Sequence, residues 1–394
     1  MFKRLHLRKN EEKRLIQGHL WIYSNEVDTQ KSPLAQFSSG QLIEVVDARG
    51  NFLGTGYINP HTLLCGRLLT KNPHTEINLN FMAQRIQQAL DLRQKFFSQP
   101  FYRLIYGESD LLPGLIVDRY GDLLVVQITT AGMEQLRELI IYALKDVISP
   151  KAILLRNDHG MRATEGLPEY VCSALGEPEK QYLIQENDAQ FLVAPWTGQK
   201  TGWFYDHREN RRQLQRFVKG KKVLDVFSYL GAWSIQAAKC GAAEVWAVDS
   251  SAAALEQCQQ NAELNQLKST IHLCHNDAFD QLKKFIEAKK QFDVIVLDPP
   301  AFIKKRKDFS SGFLAYKRLN TLALQLLSNN GILISASCSH HLSLEDLQNV
   351  ILAASISAKK PVRIIARGHQ GLDHPVHPAI PETDYLKCIF CVSA

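Results

Sequence analysis

No apolar run in these 394 residues reaches the roughly 18 that a membrane-spanning helix needs. Nor does a signal-peptide core follow the basic start, Met1-Phe2-Lys3-Arg4-Leu5-His6, so the chain is expected to be cytoplasmic, with no membrane partner. Internal repeats and low-complexity segments are absent. The eight cysteines have no framework spacing. Cys388-x-x-Cys391 lacks a second pair to complete a zinc site and sits in an apolar stretch, so it reads as core packing, and no metal is expected. A G-x-G-x-x-G fingerprint is missing too, which leaves a dehydrogenase poorly served. Charge is mild: a net +6 and a pI near 8.8 permit a nucleic-acid partner without demanding one.

What is present fits a globular chain of two or three domains, at 45% hydrophobic and 22% charged residues. Residues 1–72 read as a β-rich module, with a hairpin of Gln41–Val46 and Asn51–Tyr57 around Asp47-Ala48-Arg49-Gly50 and a further strand at 63–69. Repeated glycines there suggest a compact barrel. Residues 73–185 mix helices (79–97, 133–147) with strands (103–106, 115–118, 123–128, 152–155), an α+β pattern. From 186 to 394 strand and helix alternate, the α/β signature of a doubly wound parallel sheet, with strands near 222–227, 244–248, 270–274, 292–297, 331–336, 362–366 and 385–392.

Two apolar runs in that last part carry the chemistry. Phe292–Leu297 closes on Asp298-Pro299-Pro300, and Gly331–Ala336 closes on Ser337-Cys338-Ser339. As neighbouring buried strands they would bring a carboxylate and a thiol to one carboxyl edge, where open α/β sheets place their ligand crevice. Such a pair suits attack on a pyrimidine ring through sulfur. A second set points to a cofactor. Lys222–Phe227 leads into Ser228-Tyr229-Leu230-Gly231, where Gly231 permits a sharp turn into the next helix. Asp249 ends the next strand, placed for a ribose diol, and Asn276-Asp277 ends the third, within reach of an adenine amino group. With one glycine in the turn, an adenosyl cofactor without phosphate fits better than a dinucleotide, and S-adenosyl-L-methionine is the main one. Singly, each of Asp225, Asp249 and Asp277 is more often a strand-end cap; three on successive strands make a site.

These segments, Leu224–Gly231, Asp249, Asp277, Asp298-Pro299-Pro300-Ala301-Phe302 and Ser337-Cys338-Ser339, resemble the motif series of class I S-adenosylmethionine-dependent RNA methyltransferases. More narrowly, the chain is similar to the RlmI-type bacterial large-subunit rRNA cytosine-5 methyltransferases. Gly18–Tyr23 resembles their PUA RNA-binding domain, Glu108–Gly114 and Val117–Asp122 their central domain, Thr201–Arg208 the segment leading into the cofactor pocket, and Asp373-His374-Pro375 with Tyr385-Leu386-Lys387 their terminal signature. The resemblance implies a Rossmann-like methyltransferase domain behind a PUA-like domain and a central α+β domain. It implies a cofactor held by Asp225, Phe227, Ser228, Tyr229, Gly231, Asp249, Asp277, Asp298, Asp206 and Arg208, and catalysis by Cys338 and Asp298. RNA would meet Pro299, Pro300, Phe302, Lys304, Lys305, Lys3, Arg4 and Arg8, in large-subunit rRNA or a pre-ribosomal particle. The oligomeric state stays open, a homodimer included. Ala301 stands where wider cytosine-5 RNA methyltransferases carry a second cysteine.

In the expected scheme Cys338 adds to carbon 6 of cytosine while Asp298 bonds the ring nitrogen and exocyclic amine. The thiolate needs helix-end dipoles or nearby positive charge. Arg208 and the run Lys304–Lys307 are both candidates for it, and the sequence does not choose. Taken alone, Cys338 could be a buried strand-end thiol, and Trp21, Tyr23, Phe52 and Tyr57 could be barrel core rather than base-stacking surfaces. His340, His341 and His374 read as ordinary loop histidines. The rival readings are an rRNA guanine N-methyltransferase of related fold, which needs no nucleophilic cysteine, and a non-catalytic RNA-binding assembly factor.

Overall fold

The computed structural model describes residues 2–394. The chain divides into two units, one built from residues up to Tyr182 with 193–205 and 372–383, the other from 183–192, 206–371 and 384–394.

The first unit opens with β1 (Lys3–His6), β2 (Trp21–Tyr23), β3 (Gln41–Val46), β4 (Phe52–Ile58) and β5 (Leu64–Thr70), in the order β1-β3-β4-β5-β2. The expected hairpin is β3–β4, antiparallel; Asp47 fixes its turn by accepting from Arg49 N at 2.8 Å and Asn51 N at 2.9 Å. A second sheet, β6 (Phe101–Tyr106), β7 (Leu115–Tyr120), β8 (Leu123–Ile128), β9 (Ala152–Asn157) and β10 (Tyr170–Leu175), runs β10-β9-β8-β7-β6. The single helix expected over 133–147 is two, Ala131–Gln135 and Arg137–Ile148. The first starts early because the Thr130 side chain caps it, accepting from Met133 N. Tyr57 is core, 1% exposed, its hydroxyl donating to Pro113 O at 2.7 Å. Trp21, Tyr23 and Phe52 are half-buried.

The second unit begins with the hairpin β11 (Tyr182–Glu186) and β12 (Ala189–Val193). Its main sheet holds β13 (Lys222–Val226), β14 (Glu244–Asp249), β15 (Ile271–His275), β16 (Phe292–Leu297), β17 (Leu327–Ser337), β18 (Val362–Gly368) and β19 (Lys387–Ser393), ordered β15-β14-β13-β16-β17-β19-β18. The first five are parallel. The terminal strand departs from the all-parallel expectation, for β19 is antiparallel to both β17 and β18. No α-helix lies between β18 and β19, and an antiparallel return needs none. Apolar residues on β13, β16 and β17, among them Leu224, Ile295 and Leu333, are fully buried in one core. Helices Ala252–Leu264, Ala278–Glu287 and Leu344–Ala358 start on the side chains of Ser251, Asp277 and Ser343.

Candidate active site

The topology reverses between β13 and β16, so the carboxyl ends of β13, β14, β16 and β17 line one edge of the second unit. After β13 the backbone enters the left-handed region at Phe227 (φ 68°), Tyr229 (φ 48°) and Gly231 (φ 81°), giving a tight loop before the helix Ala232–Lys239. A Cβ on Gly231 would overlap Cys258 Sγ, so only glycine fits. Phe227 N and Ser228 N both donate to Val248 O, at 2.9 and 3.0 Å. Asp249, at the end of β14, tethers the loop: Oδ2 accepts from Tyr229 N and Oδ1 from Ser251 N, each at 2.9 Å.

Asp225 lies fully buried beneath the loop. Its Oδ2 accepts from Ser234 N at 3.1 Å and Ser234 Oγ at 2.6 Å, while Oδ1 and the neighbouring Ser228 Oγ have no hydrogen-bond partner. Burial pushes the Asp225 carboxyl up to about 7 against the pull of Ser234, with Asp298 adding to the rise. Orphaned buried polar atoms beside a glycine turn fit a polar, phosphate-free ligand. Asp277 is exposed and caps the helix after β15, Oδ1 accepting from Phe279 N at 2.8 Å and Asp280 N at 3.2 Å. It serves as the strand-end cap that such an acid usually is. This donor and acceptor set fits an adenosyl cofactor.

β16 and β17 are adjacent and parallel, with Leu297 level with Ser335. Asp298 and Cys338 therefore leave neighbouring strands at the same edge. Asp298 is partly exposed, its side chain at 24%, and both oxygens are engaged: Oδ1 lies 3.1 Å from His207 Nε2, and Oδ2 accepts from Trp233 Nε1 at 3.0 Å. Burial works against its charge, but the His207 imidazole and the Trp233 N–H outweigh that and hold the carboxyl below its usual value. The two rings meet edge-on, their centroids 5.4 Å apart.

Cys338 is partly exposed between two serines that are almost wholly buried. The Tyr316 hydroxyl, on the helix Phe309–Leu326, joins them: Ser337 Oγ donates to it at 2.9 Å, and Ser339 Oγ lies 2.9 Å away. Phe302 N donates to the same oxygen and Ile303 N to Ser339 Oγ, each at 3.4 Å. One buried hydroxyl thus ties the segment after Asp298-Pro299-Pro300 to the cysteine turn. Cys65, Cys258, Cys388 and Cys391 are buried, and burial raises all four thiols above the ordinary value.

The remaining predicted residues fall as follows. Asp206 accepts from the Tyr385 hydroxyl. Arg208 is buried, 3.6 Å from Glu186, which also holds Arg211 in a two-pronged pair. Pro299 is buried and Pro300 exposed; Phe302 packs against Tyr316 with centroids 4.7 Å apart. Lys304 and Lys305 are exposed. In the first unit Lys3, Arg4 and Arg8 are exposed and lean on Gln36 O, Glu44 and Val27 O. His374 is a core histidine, 2.9 Å from Asp373. His207 and Lys387 lie in segments that carry the family resemblance but were given no role from sequence, and Trp233 and Tyr316 were not singled out at all. Their placement opposite the two motif turns is what reveals a role for them.

Residues 115–348 match the S-adenosylmethionine-dependent methyltransferase family, and residues 5–71 match the PUA-like domain. The chain is 37% identical to the ribosomal RNA large subunit methyltransferase I of Serratia proteamaculans and 36% identical to that of Escherichia coli O157:H7, each over 396 residues and 99% of both chains. In fold it resembles a candidate SAM-dependent methyltransferase from Streptococcus mutans, at TM-score 0.84 and 24% identity, covering 99% of this chain and all of that one. A candidate methyltransferase solved with SAH superposes at TM-score 0.86 and 24% identity, with the same coverage. With full-length likeness to these relatives and a cofactor edge of matching chemistry, the chain belongs to the S-adenosylmethionine-dependent methyltransferases, in the family of ribosomal RNA large subunit methyltransferase I.

Proposed function

We propose that this enzyme methylates carbon 5 of a cytosine in large-subunit rRNA, with Cys338 as the nucleophile. The observation that carries the reading is the pairing of β16 with β17, which sets Asp298 and a partly exposed Cys338 on one edge beside the cofactor loop. Relatives named for large-subunit rRNA supply the substrate class, and such a substrate implies a cytoplasmic enzyme.

Carbon 5 of cytosine is a weak nucleophile. Addition of the Cys338 thiolate to carbon 6 forms an S–C6 bond and pushes the C5=C6 electron pair toward carbon 5. Asp298, its plane fixed by His207 and Trp233, would accept hydrogen bonds from the exocyclic amine and from the proton that the ring nitrogen takes up as carbon 6 is attacked, steadying the adduct. The bound cofactor supplies an electrophilic methyl on a sulfonium. Once carbon 5 carries the methyl, a base takes its proton, which re-forms C5=C6, breaks S–C6 and returns Cys338 as thiolate. Asp249 would hold the ribose diol, Asp225 and Ser228 would meet donors of the cofactor through their orphaned atoms, and the loop 227–231 would wrap it. Residues 1–72, with Lys3, Arg4 and Arg8, would grip the RNA backbone, and Lys304 and Lys305 would contact phosphate near the target. The base must be extruded or already unstacked to reach Cys338.

The test is Cys338→Ala assayed on large-subunit rRNA, together with trapping on RNA containing 5-fluorocytosine. No methylation by the variant, and a denaturation-resistant complex with the native enzyme, are expected. Full activity in Cys338→Ala would overturn the covalent route and favour a guanine-nitrogen target.

A further inference from the structure

We propose that the buried Lys387 ammonium is the positive charge that holds Cys338 as a thiolate. The inference rests on the reading of Cys338 as the nucleophile and names the group that activates it. The other candidates fit less well: Arg208 is held by Glu186, and Lys304–Lys307 are exposed, where water screens their field.

Lys387 begins β19 and sits in register with Ser337, the last residue of β17. The residue is 9% exposed, and Nζ donates to Ser339 O and Tyr385 O, each at 2.7 Å. Ser339 follows Cys338 directly, so the ammonium is bonded to the cysteine turn itself. Two carbonyl dipoles hold the group in place without cancelling its charge, and Lys387 forms no ion pair among the described residues. A buried unpaired cation is costly unless an anion shares its site. The anion on offer is the Cys338 sulfur. Burial lowers the lysine to about 8, and a Cys338 thiolate works against that fall, followed by the more weakly coupled Asp384 and Asp346. Other titratable groups near the pair include Tyr316, which also feels Cys338, Tyr385, whose hydroxyl donates to Asp206, and His340, whose ring lies 5.5 Å from that of Tyr385. Antiparallel β19 thus has a use: its reversed direction sets its first residue beside the carboxyl end of β17.

The experiment measures the alkylation rate of Cys338 by iodoacetamide across pH in the full-length protein without RNA, read by peptide mass spectrometry. Exposed Cys172 serves as the internal reference for an ordinary thiol. Cys338 is expected to titrate below Cys172. Lys387→Gln keeps donors for the two carbonyls but drops the charge. It should raise the Cys338 pKa by about one unit, slowing alkylation at pH 7 about ten-fold, and Lys387→Arg should restore most of the rate. S-adenosylmethionine binding by calorimetry checks folding, and Lys387→Met repeats the test if the glutamine variant does not fold. A Cys338 that titrates at or above Cys172 in the native protein, or a folded charge-free variant with an unchanged profile, overturns the proposal. The readout does not depend on turnover. A shifted profile alongside a fully active Cys338→Ala would sink the nucleophile reading and leave the electrostatic pairing standing; an unshifted profile with an inactive Cys338→Ala would do the reverse.

Discussion

Trp233 Nε1 donates to Asp298 Oδ2 at 3.0 Å, and this bond, with His207 on the other oxygen, fixes the carboxylate plane before any substrate arrives. Trp233→Phe removes the N–H and keeps most of the ring. A hydrogen bond to a charged group is worth about 1.5–3 kcal/mol, so kcat should fall roughly ten- to a hundred-fold while the RNA KM stays nearly constant. The Asp298 carboxyl now lies below its usual value, so its charge is present above that point and lost as pH falls through it. Losing the Trp233 bond moves this point up, and the acid limb of the kcat profile should move up with it. Steady-state methylation across pH reads both effects; an unmoved limb would disconnect Trp233 from Asp298.

Tyr316→Phe isolates the hydroxyl that joins the Asp-Pro-Pro segment to the cysteine turn. The change leaves Ser337 Oγ and Phe302 N without their acceptor in a buried site. One unsatisfied buried group costs about 1–3 kcal/mol. Denaturant unfolding followed through the methyltransferase domain should show a loss of that size. Activity should fall further than stability accounts for, because Cys338 and Phe302 lose their common anchor. Loss of stability with unchanged kcat would make Tyr316 a core residue only.

Much of this site was legible in the primary structure, because apolar strands ending in Asp-Pro-Pro, Ser-Cys-Ser and Asp249 mark the carboxyl edge of a parallel sheet without reference to anything distant. Strands β13 to β16 begin and end within a residue of their expected bounds for the same reason, whereas β17 starts four residues early, at Leu327, and β18 runs on to Gly368. What was not legible depends on partners far along the chain. His207 meets Asp298 although most of the sheet lies between them in sequence, and Lys387 reaches Ser339 only because β19 pairs with β17. Tyr316 sits in an ordinary amphipathic helix, where one tyrosine among core residues carries no signal. The direction of β19 was missed because a short apolar strand reads the same either way. Arg208 was one of two candidates for the charge beside the thiolate, and nothing in the sequence ties it to Glu186, which the β11–β12 hairpin brings to 3.6 Å.

Asp225→Asn should stabilise the protein at neutral pH and weaken cofactor binding. The folded carboxyl titrates near 7, against about 3.9 when unfolded. The folded state therefore binds the proton more tightly, and stability declines as pH rises from about 4 to about 7 before levelling off. Asparagine carries no such penalty. Its melting temperature should match the native protein at pH 4 and exceed it at pH 8, the difference corresponding to a few kcal/mol at most. Cofactor affinity should drop about ten-fold or more, since an amide nitrogen would replace the orphaned Oδ1 acceptor. Equal melting curves at both pH values would contradict the buried, proton-sharing carboxyl.

Lys304→Ala with Lys305→Ala should weaken RNA binding without altering affinity for S-adenosylmethionine. Both side chains are exposed just beyond the Asp-Pro-Pro turn. Each phosphate contact removed should flatten the slope of log affinity against log salt by about 0.7 on single-stranded RNA. Fluorescence anisotropy on an rRNA fragment at several salt concentrations measures it. A variant with the native slope would place these lysines away from the RNA path.

Gly231→Ala tests whether the loop itself makes the cofactor site. At φ 81° an L-residue is strained, and the added methyl would run into Cys258 Sγ on the next helix. Trimming Cys258 to alanine relieves the collision but not the backbone strain. Strain of this kind costs about 1–3 kcal/mol. Gly231→Ala should therefore bind S-adenosylmethionine at least ten-fold more weakly by calorimetry, and adding Cys258→Ala should recover only part of that loss. Full recovery in the double variant would mean that steric crowding by the cysteine, rather than the left-handed turn, is what the glycine is there to avoid.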